Sequence, residues 1–184
     1  MPPKQRITRE MILETSFSMF CREGMENVNA RSVAKALGCS TQPIFSYYSG
    51  MEDLKNALES KAWACFAEEI EAAIEGDAPL LSCSLAYYRF AVAQPHLFRS
   101  LFMVRRSAQE REAIGMDGQL NACLEAAVAE KECLDEEKAR RLCTALLIYA
   151  HGMASLQAMG LLGMSQEEAE DMIASAMKEI KTRE

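Results

Sequence analysis

Side chains able to do acid–base or covalent chemistry are present in this chain of 184 residues, but nowhere at a working spacing. There is no G-x-S-x-G, P-loop, Rossmann fingerprint or H-E-x-x-H. The carboxylate pairs Glu68-Glu69 and Glu167-Glu168 are adjacent and read as solvated helix faces, not as partners across a reacting bond. The two histidines, His96 and His151, read as hydrogen-bonded structural residues and give no metal site. Seven cysteines, odd in number, dispersed and lacking a C-x-x-C pair, argue against a disulfide framework and a zinc ribbon. Most read as small buried hydrophobes. The expectation is a protein that is not an enzyme and carries no cofactor and no metal.

Recognition chemistry is better represented, and it concentrates between Asn29 and Leu54. Ala30 to Leu37 carries Val33, Ala34 and Leu37 on one helical face, with Asn29 placed to cap its start. Gly38 ends that helix in a turn suited to the left-handed conformation, and Ser40 can cap a second helix whose buried face would be Ile44, Phe45 and Tyr48. Pro43 falls in the first turn, where backbone N–H groups have no intrahelical acceptor. Ser49 and Glu52 are spaced as a capping box that opens a longer third element. Two helices joined by a tight turn in this way form a helix-turn-helix, and the second helix is the one that would read DNA.

The same positions resemble the DNA-binding domain of the TetR/AcrR family of transcription regulators. The resemblance is carried by Gly24, then Asn29, Val33, Ala34 and Gly38-Cys39-Ser40, then Ile44, Phe45, Tyr47, Tyr48, Glu52 and Leu54. Three positions depart from the family pattern: Asn29 stands where threonine is usual, Phe45 where tyrosine is, and Met51 where lysine is. Asparagine is an equally good cap. The other two remove a hydroxyl and a cation that in the family touch phosphates, which lowers the expected nonspecific affinity. Tyr47 and the arm before the first helix could compensate.

Aligned on that pattern, Thr41, Gln42 and Pro43 would face base edges. Gln42 can pair with adenine, Thr41 can serve several bases, and Pro43 can pack on a thymine methyl. Arg31 is placed to reach a guanine or a phosphate, while Ser40, Ser46 and Tyr47 would bind phosphates and fix register.

The elements that must position these residues read as all-α, about nine helices in total. A three-helix head (residues 1–50) precedes a helical body (residues 51–184). In the head, a short arm with Lys4 and Arg6 leads into a helix from Thr8 to Arg22, capped by Thr8, closed by Gly24, and carrying Ile12, Leu13, Phe17 and Phe20 inward. The body opens with an unbroken helical pattern from Met51 to about Gly76, then Leu80 to Gln94, then a short helix from Pro95 to Phe102. Met103 to Asp117 is polar and reads as a loop that moves. Gln119 to Cys133, Asp135 to Met159, and Gln166 to about Lys181 complete the pattern, the last opened by a Ser165 and Glu168 capping box. There are no strand signals and no internal repeat.

Charge separates the same two parts. The net charge is −7, yet in residues 1–50 the basic Lys4, Arg6, Arg9, Arg22, Arg31 and Lys35 outnumber the four glutamates. A basic reading head on an acidic body fits a specific DNA binder with a second function. No apolar run reaches bilayer length and the arm lacks a signal peptide's apolar stretch, so the expected location is cytoplasmic, with no membrane partner.

The resemblance further implies a homodimer on a double-stranded DNA operator and an unidentified small-molecule effector in the body. Aromatic and sulfur side chains suit a mostly apolar effector: Trp63, Phe66, Tyr87 and Phe90, continued by Phe98, Phe102 and Met116. His96, His151, Tyr87 and Tyr149 could supply polar contacts. Tyr149, Met153, Leu156, Met172 and Ala176 would form the dimer interface as a four-helix packing of the last two helices. The expected function is a ligand-responsive repressor, homodimeric on a palindromic operator. Two other readings use the same head: a thiol or redox sensor built on Cys65, Cys83, Cys123 or Cys143, and a head without DNA-binding activity that acts in protein contacts, suggested by Phe45 and Met51.

Overall fold

The computed structural model describes residues 7–107 and 119–183, and every regular element within them is helical. The expected arm with Lys4 and Arg6, most of the expected loop, and Met116 lie outside the described residues. No helix among the described residues is long and apolar enough to cross a membrane.

The chain divides into two compact units, Met1–Ala62 and Trp63–Glu184. The first contains α1 (Arg9–Glu23), a 3-10 turn (Met25–Asn27), α2 (Ala30–Ala36), α3 (Gln42–Tyr47) and the opening turns of α4 (Met51–Ile74). Thr8 starts α1, its side chain accepting from the Met11 N–H at 3.2 Å. Gly24 ends it at φ +89°, a left-handed conformation that favours glycine. The reciprocal cap of α2 is complete. Asn29 Oδ1 accepts from the Arg31 and Ser32 N–H groups at 3.1 and 3.0 Å, and the Ser32 hydroxyl accepts from the Asn29 N–H at 3.1 Å. Gly38 turns the chain at φ +65°.

The core of this unit gathers Ile12, Phe20, Val33, Ile44, Leu54 and Leu58, each fully buried, and each contributes roughly 1.5–3 kcal/mol. The division falls inside α4, not at the expected residue 50, because Leu54, Leu58 and Ala62 belong to this core. Lys61 adds an ion pair with Glu14 and lies over the Phe17 ring at 5.1 Å.

Four local expectations are corrected. Ser40 does not cap α3; Thr41 holds the N-cap position in helical conformation, with no side-chain cap bond, and Pro43 sits in the first turn. The cap before α4 uses Asp53, whose carboxylate accepts from the Ser49 N–H at 2.9 Å, while Glu52 pairs with Lys55. Phe45 is 52% exposed, because in a six-residue helix the inward stripe is Ile44 and Tyr48, one turn apart. Leu13 and Phe17 lie at the edge of the core; Ile12, Ser16 and Met19 occupy its interior with Phe20.

The second unit holds the end of α4, then α5 (Pro79–Ala93), α6 (Pro95–Phe102), α7 (Gln119–Glu132), α8 (Glu136–Ala158) and α9 (Gln166–Arg183). Prolines open α5 and α6, where a missing N–H costs nothing. Helix α5 is buried on most of its circumference and packs against α6, α7, α8 and α9, which makes it the central element. Asp135 caps α8 by accepting from the Lys138 N–H at 2.9 Å, and Ser165 and Glu168 form the expected box at α9. Arg89 on α5 grips Glu170 on α9 through two hydrogen bonds of 2.6 and 2.7 Å.

Candidate functional site

In the first unit, the second helix of the helix-turn-helix is short and its outer surface polar. Gln42 and Ser46 are exposed on α3, Ser40 is exposed in the turn, and Arg31 is exposed on α2, while Thr41 and Pro43 are half-buried at the opening of α3. The Ser46 hydroxyl donates to the Gln42 carbonyl at 3.0 Å, and the Tyr47 hydroxyl donates to the Ile7 carbonyl at 3.3 Å, which ties the recognition helix to the start of the chain. Below them Tyr48 is buried with Arg9 over its ring at 5.0 Å; burial raises the phenol above its ordinary value, and the Arg9 charge partly offsets that.

The electrostatics of this surface follow from composition. Between Glu26 and Glu52 the chain has no carboxylate, while Arg31 and Lys35 both face solvent. In a protein with an excess of acid, this acid-free surface of exposed hydroxyl, amide and cationic groups is chemically matched to phosphates and base edges.

The second unit contains a cavity of about 1260 Å³. Its walls come from α4, α5, the end of α6 with residues 104–106, α7 and α8. Trp63, Phe66, Tyr87, Phe102 and His151 line it. Their rings meet edge to face: Trp63 and Phe102 at 5.1 Å between centroids, Phe66 and Phe102 at 4.9 Å, Phe66 and Tyr87 at 5.6 Å. Phe90 and Phe98 do not line the cavity. Both are buried behind its wall, Phe90 against Phe66 at 5.3 Å and Phe98 against Tyr87 at 5.5 Å, so they support the lining rings instead.

The polar groups of the wall are largely committed to each other. Tyr87 Oη lies 2.7 Å from His151 Nδ1, and Ser155 Oγ lies 3.3 Å from His151 Nε2. Burial holds His151 below its ordinary value, so the ring is neutral at neutral pH, one nitrogen donating and the other accepting. Burial also raises Tyr87, keeping the phenol protonated. The Ser84 hydroxyl donates to the Leu80 carbonyl at 2.7 Å. His96 and Tyr149, the other expected polar contacts, are not lining residues; His96 bonds Arg99 at 3.1 Å.

Three thiols reach this cavity: Cys83, Cys123 and Cys143. Burial pushes Cys83 up to about 12, and Cys143 beside it adds to the rise; burial, then the Glu125 charge, pushes Cys143 up to about 11. Neither is a thiolate at neutral pH, which removes the reactivity that a thiol sensor would require of these two. Of the α8 wall only His151 stands among the residues expected from sequence to line the cavity; Cys143 and Leu147 do not, although the three recur at the four-residue spacing of one helical face.

On the same unit, α8 and α9 present an apolar surface. Ile148 is 67% exposed, and Leu156, Met159 and Met172 are also exposed. Tyr149, Met172 and Ala176 line a shallow groove bordered by Asp171 and Glu179. Met153 departs from the expected interface set: it is 7% exposed and packs inside its own unit, on the side of α8 that carries Ala150 and Ala154.

Comparison with known proteins converges on one family. A family model described as "Tetracyclin repressor-like, C-terminal domain" matches residues 80–180. The uncharacterized HTH-type transcriptional regulator YobS of Bacillus subtilis is 20% identical over 99% of this chain and 93% of its own length. Among solved structures, a protein of unknown function from Rhodococcus sp. RHA1 is similar at a TM-score of 0.74, with 19% identity, 98% of this chain and 97% of that chain covered. A TetR-family transcriptional regulator from Streptomyces coelicolor is similar at a TM-score of 0.68, with 17% identity, covering 94% of this chain and 79% of its own.

Proposed function

The chain belongs to the TetR family of transcriptional regulators, and on that premise we propose that it works as a homodimeric repressor which binds a palindromic operator and is released by a mostly apolar small molecule. The observation that carries the DNA-reading part is the acid-free surface of α2 and α3, with Arg31, Ser40, Thr41, Gln42, Pro43, Ser46 and Tyr47 at or near solvent. In this reading Gln42 pairs with an adenine edge, Arg31 takes a guanine or a phosphate, and the hydroxyls hold the backbone in register.

The effector site is the cavity of the second unit, whose volume lies above the roughly 300–1,000 Å³ usual for small-molecule sites. The apolar surface of α8 and α9 meets its copy across a two-fold axis, with Tyr149, Leu156, Met172 and Ala176 in the contact. A dimer is what lets two short recognition helices span successive major grooves, about one helical turn apart. A ligand that prefers a body shape with a different head separation then releases the DNA, and a coupling of roughly 1–3 kcal/mol is the usual scale.

The direct test is a gel shift with the DNA upstream of the protein's own gene, in excess nonspecific competitor. A retarded complex that weakens on raising salt and is lost for Gln42→Ala supports the proposal. Equal retention of wild type and Gln42→Ala, or none above competitor, would sink it. In the second case Phe45, half exposed on α3, would point to protein contacts through the head.

A further inference from the structure

The cavity of the second unit carries a chemical signature beyond its apolar walls. Among its described lining residues the charged groups are Glu71, Arg105 and Arg106, so the wall is net positive. That sign runs against its surroundings, since residues 63–184 hold all of the chain's excess acid. Arg106 is partly engaged, its Nη2 donating to the Ser100 carbonyl at 2.9 Å. Arg105 is exposed on the rim and, among the described residues, has neither an ion-pair nor a hydrogen-bond partner.

Most neutral polar groups of the wall are already engaged; among the described residues the exceptions are the buried Trp63 indole N–H and the exposed Asn121 amide. Tyr87, His151 and Ser155 satisfy one another, and Ser84 is bonded to its own helix. A neutral polar ligand reaches only Trp63 Nε1 and Asn121 without breaking such bonds, whereas a carboxylate can accept from the same indole N–H and also meets the Arg105 guanidinium, whose charge-assisted bond is the stronger. The apolar part of such a ligand can lie along Trp63, Phe66 and Phe102.

We propose that the effector is an amphiphilic carboxylate, its hydrocarbon or aromatic body in the cavity and its carboxylate held by Arg105 at the rim. This rests on the reading of the cavity as the effector site. The rival head group is a cation drawn to Glu71 and the ring faces. It is disfavoured because the described lining carries two guanidinium groups against one carboxylate.

Trp63 is the single tryptophan of the chain and stands in the cavity wall, so its emission reports occupancy. The experiment titrates the full chain with decanoate, decanol and decyltrimethylammonium, each below its aggregation concentration, and follows Trp63 fluorescence and heat in parallel. Decanoate should bind about tenfold tighter than decanol, the scale of one charge-assisted hydrogen bond. Arg105→Ala should abolish that preference and leave decanol binding unchanged. Its circular dichroism and melting temperature should match wild type, since the side chain is exposed.

Equal binding of decanoate and decanol, or a preference that survives Arg105→Ala, overturns the carboxylate assignment while decanol binding upholds the cavity. Tighter binding of the ammonium, weakened by Glu71→Gln, overturns it in favour of a cation site. No response to any of the three overturns the cavity reading and the carboxylate assignment together.

Discussion

Cys123 and Cys133 are exposed, whereas Cys83 and Cys143 are buried, and burial keeps the latter two protonated well above neutral pH. Ellman titration of the native protein should therefore modify Cys123 and Cys133 first, with Cys83 and Cys143 reacting only on unfolding. Rapid native modification of Cys83 or Cys143, or loss of DNA binding on brief peroxide treatment that tracks with either, would restore the redox reading. Single residues were legible in the sequence when a local rule fixed them, as at Thr8, Asn29, Gly24 and Gly38. They were not when the outcome depended on rotation about a helix axis. Phe45 follows Ile44 by one position, about 100° around the helix, and ends in solvent while Ile44 ends in the core. The same angular sensitivity puts Phe90 behind the cavity wall and Tyr87, three residues earlier, in it.

Helix ends were readable because their chemistry is local: Pro79 and Pro95 open helices, Gly24 closes one, and Ser165 with Glu168 opens another. The Asn29 cap makes that locality testable. Asn29→Ala removes the acceptor for two backbone N–H groups and should lower stability by about 1 kcal/mol, read as a lower urea midpoint with the slope unchanged. An unchanged midpoint would show that the box is idle.

The cross-helix clamp between α5 and α9 was not visible in sequence, because Arg89 and Glu170 stand far apart along the chain. The two hydrogen bonds from Arg89, then that from Gln166, hold the Glu170 carboxyl down at about 2. A depressed carboxyl contributes stability that is full above its unfolded value, roughly 4.3, and is lost as pH falls through about 2. Thermal melts between those pH values should show a fall in wild type that is shallower in Glu170→Gln. Parallel pH profiles for the two proteins would contradict the clamp.

At the scale of the whole molecule, the all-helical fold and the family were legible, because the helix-turn-helix pattern is dense in local signals. The cavity was only half legible. Its aromatic wall stood out by residue type, but the wall formed by Cys143, Leu147 and His151 exists only once α8 is turned toward α4 and α5. The division inside α4 was likewise hidden, since an unbroken helical pattern carries no mark of where its buried face changes partners.

In the proposed function the head reads sequence, and the body pairs two chains and takes a ligand. The central claim of this account is tested most directly by selecting bound DNA from a random pool with the purified protein at two salt concentrations, beside Gln42→Ala and Leu156→Asp. The account predicts a palindrome whose half-sites lie about one helical turn apart and whose affinity falls with salt. Gln42→Ala should relax one position in each half, by roughly 1–3 kcal/mol. Leu156→Asp, on the exposed apolar face of α8, should return half-sites alone. Recovery of no shared motif by the wild-type protein, at either salt concentration, would contradict the account.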